Sequence, residues 1–203
     1  MPEPLPYKLA CLCDLRDEQG RILLIHRERA PNKGLCSPIG GKLDMHTGES
    51  PAQCAQREIM EEAGIRLPIE RLHLGGLIAE TALEGTGHWL LFYYRVLGAV
   101  SSVTDVPEQD IPEGRLAWHH PSELESLPLP ETDRKVIWPM ITKHDGGGDR
   151  PGFFALHIEH AHVSRNLCEL QLAKDPRRSR SNGCTHDDRG EYGDDTGDPH
   201  HVK

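Results

Sequence analysis

The feature that most constrains this chain is a helix whose start and end are both specified, Pro51 to Ala63. Ser50 and Gln53 form an S-x-x-Q capping box, and proline suits the first helical position because its missing N–H would have no partner there. Gly64 suits the left-handed conformation in which helices commonly end. The sequence therefore predicts one helix with these bounds.

The predicted helix has an apolar side and an acidic side at about 100° per residue. The apolar residues are Ala52, Ala55, Ile59 and Ala63. The acidic residues are Glu58, Glu61 and Glu62. Like charges at this spacing repel by about 0.2–0.5 kcal/mol per pair, and Arg57 is the one cation among them. A hard divalent cation such as Mg²⁺ or Mn²⁺, which prefers oxygen ligands, would neutralise this repulsion.

The helix and the segment before it resemble the Nudix hydrolase signature, G-x5-E-x7-R-E-U-x-E-E-x-G-U, in which U is aliphatic. Every specified position from Glu49 through Arg57 to Ile65 is filled. Seven residues instead of five separate Gly41 from Glu49. We interpret this difference as a two-residue insertion in the loop at 44–47.

The resemblance implies a metal-dependent site. The implied metal ligands are Glu58, Glu61, Glu62 and a backbone carbonyl of the glycine pair, Gly40 or Gly41, of which we expect Gly41. The implied catalytic residues are Glu61, Glu58, Arg57 and Glu49. Glu61 or Glu58 would orient or deprotonate the attacking water, while Arg57 and Glu49 would form an ion pair between loop and helix. The competing interpretation is a surface helix with an acidic face, preceded by a glycine turn.

Other candidate residues lie outside the signature. Arg27 and Arg29 could meet phosphates, although a solvated charged loop is the alternative. Trp89, Phe92 or Tyr94 could stack on a base, although aromatic residues of a buried strand more often belong to the core. Some members of the family take a further carboxylate from a later loop, for which the candidates are Glu108, Asp110 and Glu113. A solvated acidic loop at 103–113 competes with that reading.

The succession of elements predicts an α/β fold with a mixed sheet between helices, and the resemblance implies a Nudix-type α/β/α sandwich. The predicted strands are 7–15 and 21–26 as a hairpin, 72–79 with a bulge at Gly75-Gly76, 88–97 at the centre, 115–119 at an edge, and 153–158. A second helix should begin at Thr132 as its cap. These elements lie within, or directly follow, an expected Nudix domain at 5–145.

The remaining chain is expected to hold the last strand and a short helical turn at 146–173. The polar tail at 174–203 has one aliphatic residue, Val202, and is predicted to be disordered because it cannot bury enough apolar surface. We interpret His157, His160 and His162 as incidental rather than metal-binding, since no matching ligand pair occurs elsewhere.

Composition narrows the function. The net charge of −9 disfavours nucleic-acid binding. The six cysteines show no C-x-x-C pair, and no run of eighteen apolar residues occurs, so we expect a cytoplasmic protein without a membrane partner. The expected ligand is a small nucleotide or nucleoside diphosphate derivative, and assembly as a homodimer is left open.

The resemblance implies Mg²⁺- or Mn²⁺-dependent hydrolysis of a nucleoside diphosphate-linked substrate by water attack at phosphorus. A MutT-like pyrophosphohydrolase of nucleoside triphosphates or oxidised deoxynucleotides is favoured, because the marks of other family members are missing. One alternative is a nucleotide-sensing or regulatory module that binds without cleaving. Another is an isoprenyl diphosphate isomerase, for which Cys36 and Cys54 are poor nucleophiles without an activating partner.

Overall fold

The computed structural model describes residues 5–30, 32–83, 87–145, 150–160 and 167–170. The predicted tail at 174–203 and His162 lie outside these ranges. The strands are β1 Tyr7–Asp14, β2 Ile22–Arg27, β3 Cys36–Pro38, β4 Leu72–Leu83, β5 Gly87–Val96, β6 Gln109–Ile111, β7 Gly114–His119, β8 Phe154–Glu159 and β9 Leu167–Leu170. The helices are α1 Pro51–Ala63 and α2 Trp138–His144, with a π-helical turn at Asp133–Ile137 leading into α2 and 3-10 turns at Ile69–Arg71 and Pro121–Glu123.

The larger sheet is mixed, with strand order β1-β5-β4-β8-β9. β1 runs parallel to β5 and β4 runs parallel to β8, whereas the pairs β4-β5 and β8-β9 are antiparallel. The predicted mixed sheet is therefore confirmed, and β5 lies inside it as expected. Within the predicted turn at 163–172, the residues that the structure describes, 167–170, form strand β9.

A second, antiparallel sheet has the order β3-β2-β7-β6 and was not predicted. The predicted edge position of 115–119 is wrong, because β7 pairs with β2 on one side and β6 on the other. The predicted acidic loop also contains β6. The two deviations have different causes: β7 gains a partner distant in sequence in β2, whereas β6 pairs with the adjacent β7 although its three residues lie in an acidic segment.

The predicted hairpin of β1 and β2 is wrong. The two strands leave the turn for different sheets, β1 to pair with β5 and β2 to pair with β3 and β7. Their contact is confined to the turn, where Arg16 bridges Ile22 and the Asp17 carboxylate accepts the N–H groups of Gln19 and Arg21. Burial of β2 on both faces explains its place between two layers of the core.

The two helices cover opposite faces of the mixed sheet. Helix α1 buries Cys54, Ala55, Ile59 and Ala63 against one face, and Ala52 packs against the same core. Ile137, Trp138 and Ile141 cover the other face. The predicted apolar side of α1 and the α/β/α arrangement are thus both found.

The start of the second helix was wrongly predicted. Thr132 already has helical backbone angles, and its side chain caps nothing. The π-helical turn that follows leads into Pro139, which lacks an N–H and whose ring would clash with a carbonyl of a regular α-helix. A wider turn accommodates this proline.

Strand β4 contains the predicted bulge, since its pairing with β5 shifts register between Leu74 and Gly76. A Cβ atom at Gly76 would lie 2.6 Å from the Phe154 ring, so glycine permits β8 to approach β4 closely. The strand continues to Leu83, four residues beyond the predicted end at 79. None of the helices within the described ranges has the length and apolar character needed to cross a membrane.

Candidate active site on helix α1

The capping residues orient helix α1 as the sequence predicts. The Ser50 hydroxyl accepts the Gln53 N–H at 3.3 Å, and the Gln53 side-chain oxygen accepts the Ser50 N–H at 3.0 Å. At the other end Gly64 has a φ of 74°, and its N–H donates to the Met60 carbonyl. These ends set the rotation of the helix, which directs Glu58 and Glu62 inward and leaves Glu61 exposed.

The loop with the two extra residues is closed at its base. The Asp44 N–H donates to Glu49 Oε2 at 2.9 Å, and the Glu49 N–H donates to the Asp44 carbonyl at 3.2 Å. Met45, at the start of the extra segment, is 69% exposed. The insertion therefore projects into solvent, and Glu49 keeps the position that the signature requires.

Arg57 donates hydrogen bonds to three carboxylates and one backbone carbonyl. We call Arg57 and the three acids, Glu49, Glu58 and Glu61, the Arg57 cluster. Its Nε and Nη2 atoms donate to Glu49 at 2.8 and 3.0 Å. Nη1 donates to Glu58 at 2.7 Å and to Glu61 at 3.1 Å, and Nη2 also donates to the Lys42 carbonyl at 3.0 Å. The hydrogen bonds from Arg57 hold the pKa of Glu49 below its usual value, so this buried carboxylate stays ionised.

Glu58 and Glu62 are held in less favourable surroundings. Burial raises the pKa of Glu58, although Arg57 opposes the shift. Burial raises the pKa of Glu62 to about 7, aided by the charges of Glu58 and Glu113 and opposed by the Gly40 N–H and Arg27. The Gly40 N–H donates to Glu62 Oε2 at 2.9 Å. Added positive charge here would stabilise both carboxylates.

The glycine pair leaves no room for side chains. A Cβ atom at Gly40 would collide with the Cys11 carbonyl, and one at Gly41 would collide with the Glu58 carboxylate. The Gly41 carbonyl accepts the Cys11 N–H at 2.9 Å and the Cys54 S–H at 3.5 Å. A role for this carbonyl as a metal ligand stays a prediction, and it would compete with the Cys54 thiol.

The donor chemistry of this site fits a hard divalent cation. Carboxylates crowd the second half of the helix, and two of them, the half-buried Glu58 and the buried Glu62, have raised pKa values. Across the ranges the structure describes, no three His, Cys, Asp or Glu side chains already converge as metal ligands. Arg57 holds Glu58 and Glu61, while the Gly40 N–H holds Glu62, so a bound ion would draw these carboxylates from their present partners.

Glu113 is the later carboxylate that reaches the site. Its charge raises the pKa of Glu62, whereas Glu108 and Asp110 pair with Arg115. Gly114 positions it, because a Cβ atom there would collide with the His26 carbonyl and the Glu28 N–H donates to the Glu113 carbonyl at 2.9 Å. In the sequence, this position is marked by Glu113 followed directly by Gly114, between two short strands.

The predicted substrate residues are not all brought together. The charge of Arg27 acts on Glu62, whereas Arg29 is exposed on the loop after β2. Trp89 and Phe92 lie on opposite faces of β5, where Phe92 packs against the core under α1. The Trp89 ring has the Lys8 ammonium 5.1 Å and the Lys42 ammonium 5.8 Å from its centre. Trp89 is therefore the aromatic residue that adjoins the glycine loop.

Comparison with known proteins identifies the family. Residues 6–139 match the model of the NUDIX domain. The chain belongs to the Nudix family. The fold agrees with solved Nudix structures: the MutT protein from Bacillus halodurans superimposes with a TM-score of 0.59 at 23% identity, covering 79% of this chain and 97% of that one.

Two further relatives indicate the range of ligands in the Nudix family. Diphosphoinositol polyphosphate phosphohydrolase 3-beta from Bos taurus is 35% identical over 71 residues, which are 35% of this chain and 41% of the relative. This chain thus matches less than half of that relative's length. The NUDIX domain of Shewanella oneidensis NrtR, solved with ADP ribose, has a TM-score of 0.52 at 16% identity and covers 70% of this chain and 89% of that one.

Proposed function

We propose that this Nudix protein hydrolyses the phosphoric anhydride of a nucleoside diphosphate-linked substrate by attack of water at phosphorus. The observation that carries the proposal is the arrangement of Glu58, Glu61 and Glu62 around one end of α1, next to the Arg57–Glu49 pair. All the acidic positions of the signature are filled. A nucleoside triphosphate or an oxidised deoxynucleoside triphosphate is the substrate class that we favour.

The expected cofactor is Mg²⁺ or Mn²⁺, held by Glu58, Glu61 and Glu62 with the Gly41 carbonyl. Such an ion activates water and neutralises charge on the bridging and leaving oxygens of a diphosphate. Glu113, in the turn between β6 and β7, is our candidate for another carboxylate, because its charge acts on Glu62.

The residues of the chain have separate roles in this proposal. Glu61 is the most exposed of the three acids, with 58% of its side chain accessible, so it can contact the attacking water first. Glu58 is the second candidate for orienting that water. Arg57 and Glu49 are positioning residues, since they fix the carboxylates and the Lys42 carbonyl relative to each other. Arg27, whose charge acts on Glu62, is the residue that we expect to contact a phosphate there.

The test is release of phosphate or pyrophosphate with and without Mg²⁺ from a panel of anhydrides. The panel includes the nucleoside triphosphates, oxidised dGTP, ADP-ribose, dinucleoside polyphosphates, NADH and a diphosphoinositol polyphosphate. We expect Mg²⁺-dependent turnover of at least one nucleotide. Hydrolysis of none of them would overturn the proposal, and hydrolysis of the inositol compound alone would overturn the nucleotide assignment.

A nucleotide-sensing module is the second candidate function. The observation that favours it is that Glu58 and Glu61 are bound to Arg57 rather than gathered around a common point. Tight binding of ADP-ribose or a nucleotide in calorimetry, without any Mg²⁺-dependent product, would select this candidate.

The raised pKa values of the two candidate thiols argue against the isomerase alternative. A hydrogen bond with Cys11 and burial raise the pKa of Cys54, and burial raises the pKa of Cys36. Both thiols are therefore protonated at neutral pH, which disfavours nucleophilic chemistry at either.

A further inference from the structure

Three thiols lie in the core between β1 and helix α1: Cys11 and Cys13 on the strand and Cys54 on the helix, each at most 1% exposed. The Cys11 Sγ atom lies 3.3 Å from Cys54 Sγ, and the Cys13 S–H donates to the Ala55 carbonyl of the helix at 3.9 Å. A hydrogen bond with Cys13 raises the pKa of Cys11, and a hydrogen bond with Cys11 raises the pKa of Cys54. Cys11 and Cys54 therefore both carry an S–H group at neutral pH.

The Cys54 thiol contacts both the glycine pair and the Arg57 cluster. Its S–H donates to the Gly41 carbonyl at 3.5 Å, and its sulfur accepts a hydrogen bond from Arg57 Nη2 at 3.6 Å. The S–H group has a second acceptor within reach, the Cys11 sulfur at 3.3 Å. A thiol carries one proton, so Cys54 donates to only one of these two acceptors at a time.

The Gly41 carbonyl has no lone pair left for another partner while Cys54 donates to it. A carbonyl oxygen has two lone pairs. The Cys11 N–H occupies one of them at 2.9 Å, and the Cys54 S–H occupies the other. The backbone donor is held in place because it belongs to β1, where the neighbouring Ala10 bridges Lys42. The S–H can turn about its own Cβ–Sγ bond, so it is the donor that can leave.

We propose that the Cys54 S–H is a rotating switch at the metal site, which occupies the Gly41 carbonyl in the free protein and turns to the Cys11 sulfur when a divalent cation binds that carbonyl. This inference rests on the proposed metal-dependent function. It makes Cys54 a positioning residue, because the thiol acts through the carbonyl. The exchange replaces a thiol–carbonyl hydrogen bond with a thiol–sulfur one, and both protons stay on their residues. The affinity for the cation therefore depends on the difference between two weak hydrogen bonds.

The two thiols should have opposite effects on the affinity for a divalent cation. Cys54→Ala removes the competing donor and should tighten Mn²⁺ binding about threefold, roughly the contribution of one weak hydrogen bond. Cys11→Ala removes the alternative acceptor, so the S–H stays on the Gly41 carbonyl and Mn²⁺ binding should weaken about threefold. Both changes remove one buried sulfur from the same core, so a loss of packing alone would shift the two affinities in the same direction.

The test is calorimetric titration of the full chain with Mn²⁺ at pH 7, without substrate, on variants whose melting temperatures show that they fold. Cys54→Ser keeps a hydrogen-bond donor at the same place, so its affinity should return to the wild-type value or below. Cys13→Ala is the matched control, because the Cys13 thiol bonds the Ala55 carbonyl instead of the glycine pair. It should leave the affinity for Mn²⁺ unchanged.

The S–H stretching band gives a second readout that depends on the acceptor of the thiol. Infrared difference spectra between wild type and Cys54→Ser isolate the band of Cys54, also in the case that an alanine variant does not fold. We expect Mn²⁺ to shift this band to higher frequency, because sulfur is a weaker acceptor than a carbonyl oxygen.

The outcomes distinguish this inference from the proposed hydrolysis, which is measured separately on the panel of anhydrides. Tighter Mn²⁺ binding by Cys54→Ala together with weaker binding by Cys11→Ala supports the switch, whether or not the protein hydrolyses any anhydride. Equal affinities, or shifts of the same sign in the two variants, overturn the switch even when wild type turns over nucleotides. An S–H band that Mn²⁺ does not move, or absence of Mn²⁺ binding by wild type, also overturns it.

Discussion

Glu49 in the Arg57 cluster and Glu80 on β4 both have little access to water, but their surroundings shift their pKa values in opposite directions. Glu49 accepts two hydrogen bonds from Arg57 and has a lowered pKa. Glu80 has an imidazole at 3.8 Å and a pKa raised to about 7. A buried carboxylate with an arginine is a fixed charge, whereas one without a close cation is a carboxyl group that can donate a hydrogen bond. The first arrangement gives a fixed negative charge that can position other groups, and the second gives a group whose protonation changes near neutral pH.

The largest effect is expected from removing a charge of the proposed metal site. Glu61→Gln or Glu62→Gln should lower Mg²⁺-dependent turnover by about 10²–10⁴-fold, the range typical of a lost catalytic group, while circular dichroism shows an intact fold. Glu125→Gln, an exposed change outside the Arg57 cluster, provides the control. Wild-type turnover in both Glu61→Gln and Glu62→Gln would remove the basis for assigning these residues to a metal.

A substitution in the glycine pair should displace the carboxylate of Glu58 by steric contact. Gly41→Ala places a methyl group against the Glu58 carboxylate and should lower turnover by about tenfold or more, as small displacements of catalytic groups do. Gly48→Ala is the matched control, since no atom lies within 4 Å of its new Cβ although its φ is 69°. It should cost about 1 kcal/mol of stability without a change in turnover. Equal kinetics in the two variants would contradict the contact at Gly41.

Breaking the ion pair of the Arg57 cluster should cost stability. Arg57→Ala leaves Glu49 buried without its partner, which we expect to lower the free energy of unfolding by about 2–3 kcal/mol in urea titrations. Replacing both residues, in Glu49→Gln/Arg57→Met, should recover the part of that loss that comes from the unpaired charge of Glu49, while the loss of the contacts from Arg57 to Glu58 and Glu61 remains. A double variant as unstable as the sum of the single variants would show that the two side chains act independently.

A region could be predicted from the sequence when the residues that form it are close together along the chain. Ser50, Gln53 and Gly64 lie at the ends of one helix, so local rules predicted the helix, whereas its ion pair between Arg57 and Glu49 was implied by the resemblance to the Nudix signature. The position of Glu80, by contrast, depends on β4 lying between β5 and β8. The hydrophobic periodicity of a strand does not indicate which other strands lie beside it. The same lack of a local signal explains the wrong hairpin of β1 and β2 and the missed second sheet.

The two regions should respond to pH with opposite signs. Glu49 has a lowered pKa, so its contribution to stability is present above the unfolded value near 4.5 and is lost as pH falls through the folded pKa. Glu80 has a raised pKa, so the folded state binds more protons than the unfolded state between 4.5 and about 7, and stability decreases as pH rises through that window.

Urea titrations of Glu80→Gln and wild type at pH 5 and pH 8 check this sign. We expect wild type to lose on the order of 2 kcal/mol more than the variant across the interval, since one pKa unit corresponds to about 1.4 kcal/mol. Glu123→Gln should follow wild type, because its carboxylate is exposed. A variant that loses as much stability as wild type would show that Glu80 titrates normally in the folded protein.

The smallest effect is expected at the inserted loop, and it tests whether the extra residues belong to the site. Deleting Met45 and His46 restores the five-residue spacing of the signature. Because Asp44 and Glu49 already hydrogen-bond to each other across the base of the loop, we expect turnover within about threefold of wild type and a stability change of about 0.5 kcal/mol, as for other exposed loop changes. A tenfold change in KM with an unchanged melting temperature would instead show that the exposed insertion contacts the substrate.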